Sequence, residues 1–221
     1  MLFKEITLQT KNADALYDFY KNTLQLNVVK PNTKTISINA GKSTLIFEQT
    51  NNADDPFYHF AFNIPSNKTE EALQWLKEKV ELFWIEDYKS YIAEFTNWNA
   101  RSVYFLDTAG NIVELIARSD LHDEVNEIFS PAHIRNVSEI GIVFNAEQFD
   151  ASVNEMMHQY QLLYFSKQPP LKHFRAIGDD EGLFIVVPEH RNWYPTNIAG
   201  GIFPLSVMFE NKNKKYCLQL R

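Results

Sequence analysis

The chain has 221 residues, 45% of them apolar and 22% charged, which is long and apolar enough for a substantial core in one large domain or two small ones. Its formal net charge of −7 argues against nucleic acid as the main partner, since phosphate binding calls for clustered Lys and Arg. The single cysteine, Cys217, excludes an intrachain disulfide; no apolar run approaches the ~20 residues of a membrane span. Met1 to Glu5 read directly into a strand with no signal-type hydrophobic stretch, so a soluble, cytoplasmic protein is expected.

In chain order, residues 3–9 carry apolar side chains at alternate positions, the period of a strand with one buried face. Residues 13–24 place Leu16, Phe19, Tyr20 and Leu24 on one stripe, which predicts a helix lying on a sheet. Short β-rich runs follow at 28–29, 35–38 and 44–47. The same order then repeats. A strand at 57–63 precedes a helix over 69–80, with Ala72, Leu73, Leu76 and Val80 on its stripe, and runs at 82–85, 91–95, 102–106 and 112–116. Asp120, Asp123, Glu124 and Glu127 give the segment before residue 137 an acidic face, read as an exposed linker helix. A third strand at 137–143 leads to a helix over 147–160, with Phe149, Val153 and Met157 inward, then runs at 162–165, 173–177 and 183–187. After Pro195 only one further strand, 203–209, is predicted before a tail whose basic run, Lys212 to Lys215, reads as a solvated turn. Three units of strand, helix and meander are visible, and a fourth is abbreviated.

The segment Phe105-Leu106-Asp107-Thr108-Ala109-Gly110-Asn111-Ile112-Val113-Glu114-Leu115 resembles the phrase F-x-D-P-x-G-N-x-x-E-L of the vicinal oxygen chelate superfamily, which includes glyoxalase I, extradiol dioxygenases and fosfomycin and bleomycin resistance proteins. Thr108 stands where proline is usual. Asp107 and Gly110-Asn111 suit a tight turn between two strands. Tyr58-His59-Phe60-Ala61-Phe62 is similar to the family's H-H-I-A-F strand, and residues 3–26 to its opening strand and helix, with Gln25 in place of the usual glycine. The likeness is close over residues 3–118 and loose over 137–188.

The resemblance implies an α+β fold of βαβββ units forming an open, cup-shaped mixed sheet with helices on the outer face. On that basis residues 1–118 form a complete two-unit domain, 119–136 a linker helix, and 137–221 an incomplete second domain of one unit plus a terminal strand. It also implies metal ligands at Glu5, His59 and Glu114. Period-two alternation agrees: Ile6 and Leu8, Phe60 and Phe62, and Val113 and Leu115 would face the helices, leaving the three candidates on the other face. A fourth, glyoxalase-type ligand would fall on Phe47, with Glu48 one residue out of register, which speaks against a four-ligand glyoxalase site. One His and two carboxylates make an oxygen-rich set suited to a divalent metal, Mn, Fe or Mg ahead of Zn. Glu5 and Glu114 are the carboxylates expected at the chemistry, Glu5 as ligand or general base.

The third unit repeats a first-strand carboxylate, Glu139, but shows no downstream partner of its own, so it is read as completing the fold or walling the cavity. Thr7, Phe47, Trp98, Arg191 and Trp193 are candidate substrate contacts. Two functions stand side by side. One is a divalent-metal-dependent lyase, isomerase or ring-cleaving dioxygenase acting on a small oxygen-chelating substrate. The other is a metal-free protein of the same fold that binds an aromatic or antibiotic-like molecule in an apolar cleft. Neither nucleic acid nor membrane is an expected partner, and a homodimer is left open.

Overall fold

The computed structural model describes residues 1–52 and 54–220. Its elements in chain order are β1 (Leu2–Thr10), α1 (Ala13–Asp18), β2 (Asn27–Asn32), β3 (Thr35–Ala40), β4 (Ser43–Gln49), β5 (His59–Ile64), α2 (Thr69–Lys77), β6 (Ala93–Phe95), β7 (Ala100–Leu106), β8 (Ile112–Arg118), β9 (Asn136–Phe144), α3 (Phe149–Tyr160), β10 (Arg175–Asp179), β11 (Gly182–Pro188), β12 (Leu205–Asn211) and β13 (Lys214–Leu220). They build two mixed sheets, of order β13-β12-β1-β4-β3-β2 and β10-β11-β9-β5-β8-β7-β6. The α+β class and the strand–helix–meander unit are as the sequence indicates.

The alternation along the strands assigns the faces. Ile6, Leu8, Phe60, Phe62, Val113 and Leu115 are buried in a core that runs between the sheets and under the helices. The opposite face of the seven-stranded sheet carries a second apolar cluster, including Ala61, Tyr104, Ile112, Ile116, Leu183, Ile185 and Trp193, and this face forms the cup. Among the described residues no helix is long and apolar enough to cross a membrane.

The units pair differently from the expectation. The first unit shares its sheet with β12 and β13, through antiparallel β1–β12 pairing. The second unit shares its sheet with the third, through antiparallel β5–β9 pairing. The sheets therefore join residues 2–49 to 205–220, and residues 59–118 to 136–188, and the division at 118 falls within the second sheet. The segment expected as a linker helix is not one. Two short 3-10 turns, Ser119–Leu121 and Pro131–His133, punctuate an irregular strap. Its side chains are spent on tethers: Asp123 accepts from the Ser66 amide and from Arg135 Nε, Asn67 holds Val125, and Phe129 packs on Trp75. Residues 162–165 form only an isolated bridge, Tyr164 to Ile177. The tail forms β13, missed because its apolar face is confined to Tyr216, Leu218 and Leu220. Lys212 and Asn213 adopt left-handed backbone in the turn before it, so the basic run does begin as a solvated turn. In α3, Met156 rather than Met157 is the buried methionine.

Candidate metal centre

The site lies across three adjacent central strands, β8, β5 and β9. In the register of the sheet, Ala61 on β5 stands opposite Glu114 on β8 and opposite Glu139 on β9. Leu183 and Tyr104 extend the same row on either side. The two carboxylates thus leave the sheet about 10 Å apart, two strand spacings. The methyl group of Ala61 between them leaves room for both to lean inward. His59, two residues before Ala61 and on the same face, completes the triangle. His59 Nε2 lies 3.6 Å from a Glu114 oxygen and 3.7 Å from a Glu139 oxygen. All three side chains are buried, at 5%, 2% and 2% exposure. One ligand atom from each falls within 4.8 Å of the others.

The turn singled out in the sequence sets this geometry. The Asp107 carboxylate accepts from the amides of Ala109 and Asn111 at 2.9 and 3.0 Å, from Asn111 Nδ2 at 2.8 Å and from the Tyr20 hydroxyl at 2.7 Å. Gly110, at φ +79°, supplies the left-handed residue that the turn needs. Asn111 Oδ1 accepts from the Tyr58 amide at 2.8 Å, which locks the start of β8 to the start of β5, and so fixes Glu114 relative to His59.

A second layer fixes the orientations. His59 Nδ1–H donates to the Ile112 carbonyl at 3.1 Å. That bond puts the proton on Nδ1 and turns the Nε2 lone pair toward the carboxylates. Arg118, fully buried, bonds the outer oxygen of Glu139, donates to Asn63 at 3.3 Å, and stacks on the Trp98 ring at 5.6 Å. Asp180 faces the same guanidinium at 3.5 Å and links it to Lys167, which also pairs with Asp120.

The electrostatics follow from burial. Desolvation, then the charge of Glu139, pushes the Glu114 carboxyl up to about 7; His59, the Ser102 hydroxyl and Arg118 work in the other direction. Burial alone would lower the His59 pKa, but the carboxylates of Glu139 and Glu114 outweigh it, so the net shift is upward. Tyr104 is held well above the ordinary phenol range by burial and by Glu114, its cross-strand neighbour, and so keeps its proton.

A cavity of about 560 Å³ opens above these groups, walled chiefly by aromatics: Phe95, Trp98, Tyr104, Phe174, Trp193 and Tyr194. The Trp193 ring lies 5.2 Å from His59.

The structure brings together His59 and Glu114 of the expected ligands but not Glu5. Glu5 sits on β1 in the other sheet, opposite Met208 and Thr44, so it has no route to the cup. The third carboxylate is Glu139, from the unit read as a wall. Trp98, Arg191 and Trp193 line the cavity. Thr7 lines a shallow hollow on the other sheet with Gln9 and Glu48, and Phe47 is buried between Tyr20 and Phe60 in the core. Arg118 and Tyr104 were not anticipated. Arg118 carries a signal in retrospect, since it follows Glu114 by four residues and therefore shares its face of β8.

A buried His and two Glu converging on one point pose a chemical problem that a cation solves. With Nδ1 protonated, Nε2 offers only a lone pair, as do ionised carboxylates. Ligand atoms about 2.1 Å from a tetrahedral ion lie roughly 3.4 Å apart, close to the separations at His59. The donor set thus fits a divalent metal.

No protein-family profile matches the chain, and no curated protein matches it. Solved structures do. A protein of Bacillus subtilis subsp. subtilis str. 168, described provisionally as a dioxygenase, is similar at a TM-score of 0.58 and 17% identity, over 85% of this chain and 63% of that one. A lactoylglutathione lyase from Agrobacterium tumefaciens is similar at 0.42 and 20% identity, over 51% and 90%. The genomically encoded fosfomycin resistance protein of Listeria monocytogenes, in complex with Mn(II) and sulfate, is similar at 0.40 and 20% identity, over 53% and 90%. The chain shares the fold of the Bacillus subtilis protein, in keeping with the fold that the sequence resemblance implies.

Proposed function

We propose that the protein holds a divalent metal at His59, Glu114 and Glu139 and is an enzyme acting on a small, ring-shaped substrate that presents two adjacent oxygens. The observation that carries this reading is the convergence of three buried, oriented ligand side chains on the floor of an aromatic cavity. One histidine and two carboxylates form a hard set, better matched to Mn²⁺ or Fe²⁺ than to a thiol-seeking ion. When bound, the metal supplies Lewis acidity and a template for the two oxygens.

The chain's own residues do the rest. Arg118 binds one oxygen of Glu139 and leaves the other facing His59. The Ile112 carbonyl fixes the His59 tautomer. Tyr104 retains its proton and offers an O–H beside the Glu114 carboxylate, a donor for a substrate oxygen. Trp98, Trp193 and Tyr194 wall the substrate from water and present ring faces for stacking. Lyase, isomerase and dioxygenase chemistry share these requirements. The aromatic walls favour a ring, and with it the ring-cleaving dioxygenase.

One observation favours a second reading. Protons can take the cation's place, because Glu114 and His59 are both shifted toward their protonated forms. A metal-free protein would then bind an aromatic molecule in the same cavity.

Metal analysis of tag-free protein, supplemented with Mn²⁺, Fe²⁺ and Zn²⁺ in turn, separates the two. About one ion per chain is expected in the wild type, with loss in His59→Ala and Glu139→Ala and retention in Glu5→Ala. A metal-free wild type after all three additions sinks the metalloenzyme and leaves the binding protein. Loss of metal in Glu5→Ala would return Glu5 to the ligand set.

A further inference from the structure

Arg191 is the one Lys or Arg that lines the cavity, among the described residues. It comes from the loop after β11, two residues before Trp193, and also borders two hollows on the outer surface, which places it at the cavity mouth. Its guanidinium lies 5.2 Å over the Phe174 ring and donates one hydrogen bond, at 3.2 Å, to the Asn192 carbonyl. Among the described residues no carboxylate pairs with it within 4 Å, although Glu189 stands two residues away in sequence and Glu94, Glu114 and Glu139 share the cavity wall. Glu189 is committed to Asn145 Nδ2 and the Ala146 amide, at 2.7 and 3.2 Å. Glu94 faces Arg101 Nε at 3.6 Å. Among the described residues, a half-buried arginine is thus left without a counter-ion in a chain of net charge −7.

We infer that Arg191 is an anion-binding residue, and that the substrate is an aromatic carboxylate whose carboxylate meets Arg191 at the mouth while its adjacent oxygens reach the floor. The guanidinium is a planar fork with free N–H groups, which matches a carboxylate in two parallel hydrogen bonds. The Phe174 ring beneath it gives the guanidinium a cation–π contact that holds it at the mouth. Trp193 and Phe174 bound the space between the two ends, which suits a flat ring. The choice of substrate class rests on the metal reading above. The anion site by itself does not.

Three probes separate these parts: benzoate carries only the carboxylate, catechol only the adjacent hydroxyls, and 3,4-dihydroxybenzoate both. Binding is read by tryptophan fluorescence and calorimetry on the full-length protein, metal-free and Mn²⁺-loaded. In the wild type, 3,4-dihydroxybenzoate should bind about ten- to hundredfold more tightly than catechol, the effect of one charge-assisted pair. Arg191→Gln should bring that ratio close to one and abolish benzoate binding in the metal-free protein. Arg191→Lys, which keeps the charge but loses the fork, should recover part of the preference. Unchanged benzoate affinity and an unchanged ratio in Arg191→Gln overturn the anion site, whatever the metal does. Catechol binding that is indifferent to Mn²⁺, with the benzoate effect intact, overturns the metal reading and leaves the anion site standing.

Discussion

Glu114 shows most directly what the buried cluster costs the fold. Its carboxyl, ordinarily near 4.5, is raised to about 7 by burial and by Glu139. In the unfolded chain it loses its proton near the ordinary value. Between those two pH values the unfolded state has released a proton that the metal-free folded state keeps, so stability falls as pH rises through that window. The favourable contribution is complete below the lower value and gone above the upper one. The shift corresponds to about 3 kcal/mol, and the upward shift of His59 acts in the same sense. Metal-free wild type should therefore melt at a higher temperature at pH 5 than at pH 7.5. Glu114→Gln, which has the same shape and no titration, should outlast it at pH 7.5 and lose that advantage near pH 5. Melting curves at the two pH values test this; a wild type–variant difference that does not change with pH contradicts the assigned burial. At this scale, His59 and Glu114 were legible because each sits in a short phrase with a matching local pattern. Glu139 was visible as a first-strand carboxylate, but its relevance depends on which strand lies beside β5, and nothing local encodes that.

Among the elements, the loop after β11 and strand β9 depend on each other through Gly141. A Cβ built at Gly141 would lie 2.6 and 2.9 Å from the Trp193 ring and 3.3 Å from the His59 Cβ. Glycine is required there for close approach rather than for a left-handed backbone, since it lets the indole close down on His59. Gly141→Ala should push Trp193 off the site. Overpacking of this kind costs roughly 1–3 kcal/mol, and the displaced indole should meet more water. A lowered melting temperature together with a red-shifted tryptophan emission is the expected result. Unchanged stability and emission would mean that the loop is not seated on the site. The strands and their faces were legible, because period-two alternation is a local property and the core obeys it at Ile6, Leu8, Phe60, Phe62, Val113 and Leu115. The linker helix was misread for a physical reason. An acidic stripe at helical spacing is equally what a strap looks like when its carboxylates and amides are tied to neighbours, as Asp123 is to Ser66 and Arg135.

For the whole molecule, the decisive fact is the pairing of units. β1 and β12 zip together from opposite ends of the sequence, and β5 takes β9 rather than any strand of the first unit as its antiparallel neighbour. Such partners are set by long-range packing, which single-sequence periodicity does not contain. The main core is correspondingly shared: Phe3 packs on Phe184, and Phe184 on Phe209, three residues from three different units. A fragment of residues 1–118 therefore has two strand edges, β1 and β5, stripped of their partners, and an apolar face that lacks Val137, Ile140, Phe184, Val207 and Phe209. It also has two of the three proposed ligands and lacks Glu139. The fragment is expected to show no cooperative thermal transition and no metal binding, whereas the full chain should unfold in one transition. Binding of metal to the folded state alone should raise that transition, by about 2.7 kcal/mol at a free-ion concentration a hundredfold above Kd. Calorimetry of both proteins with and without Mn²⁺ is the measurement. A sharp, Mn²⁺-sensitive transition in the fragment would show that the first two units form a self-sufficient cup. The metal would then have to be held without Glu139, because a carboxylate that arrives only with the third unit cannot be a ligand in its absence.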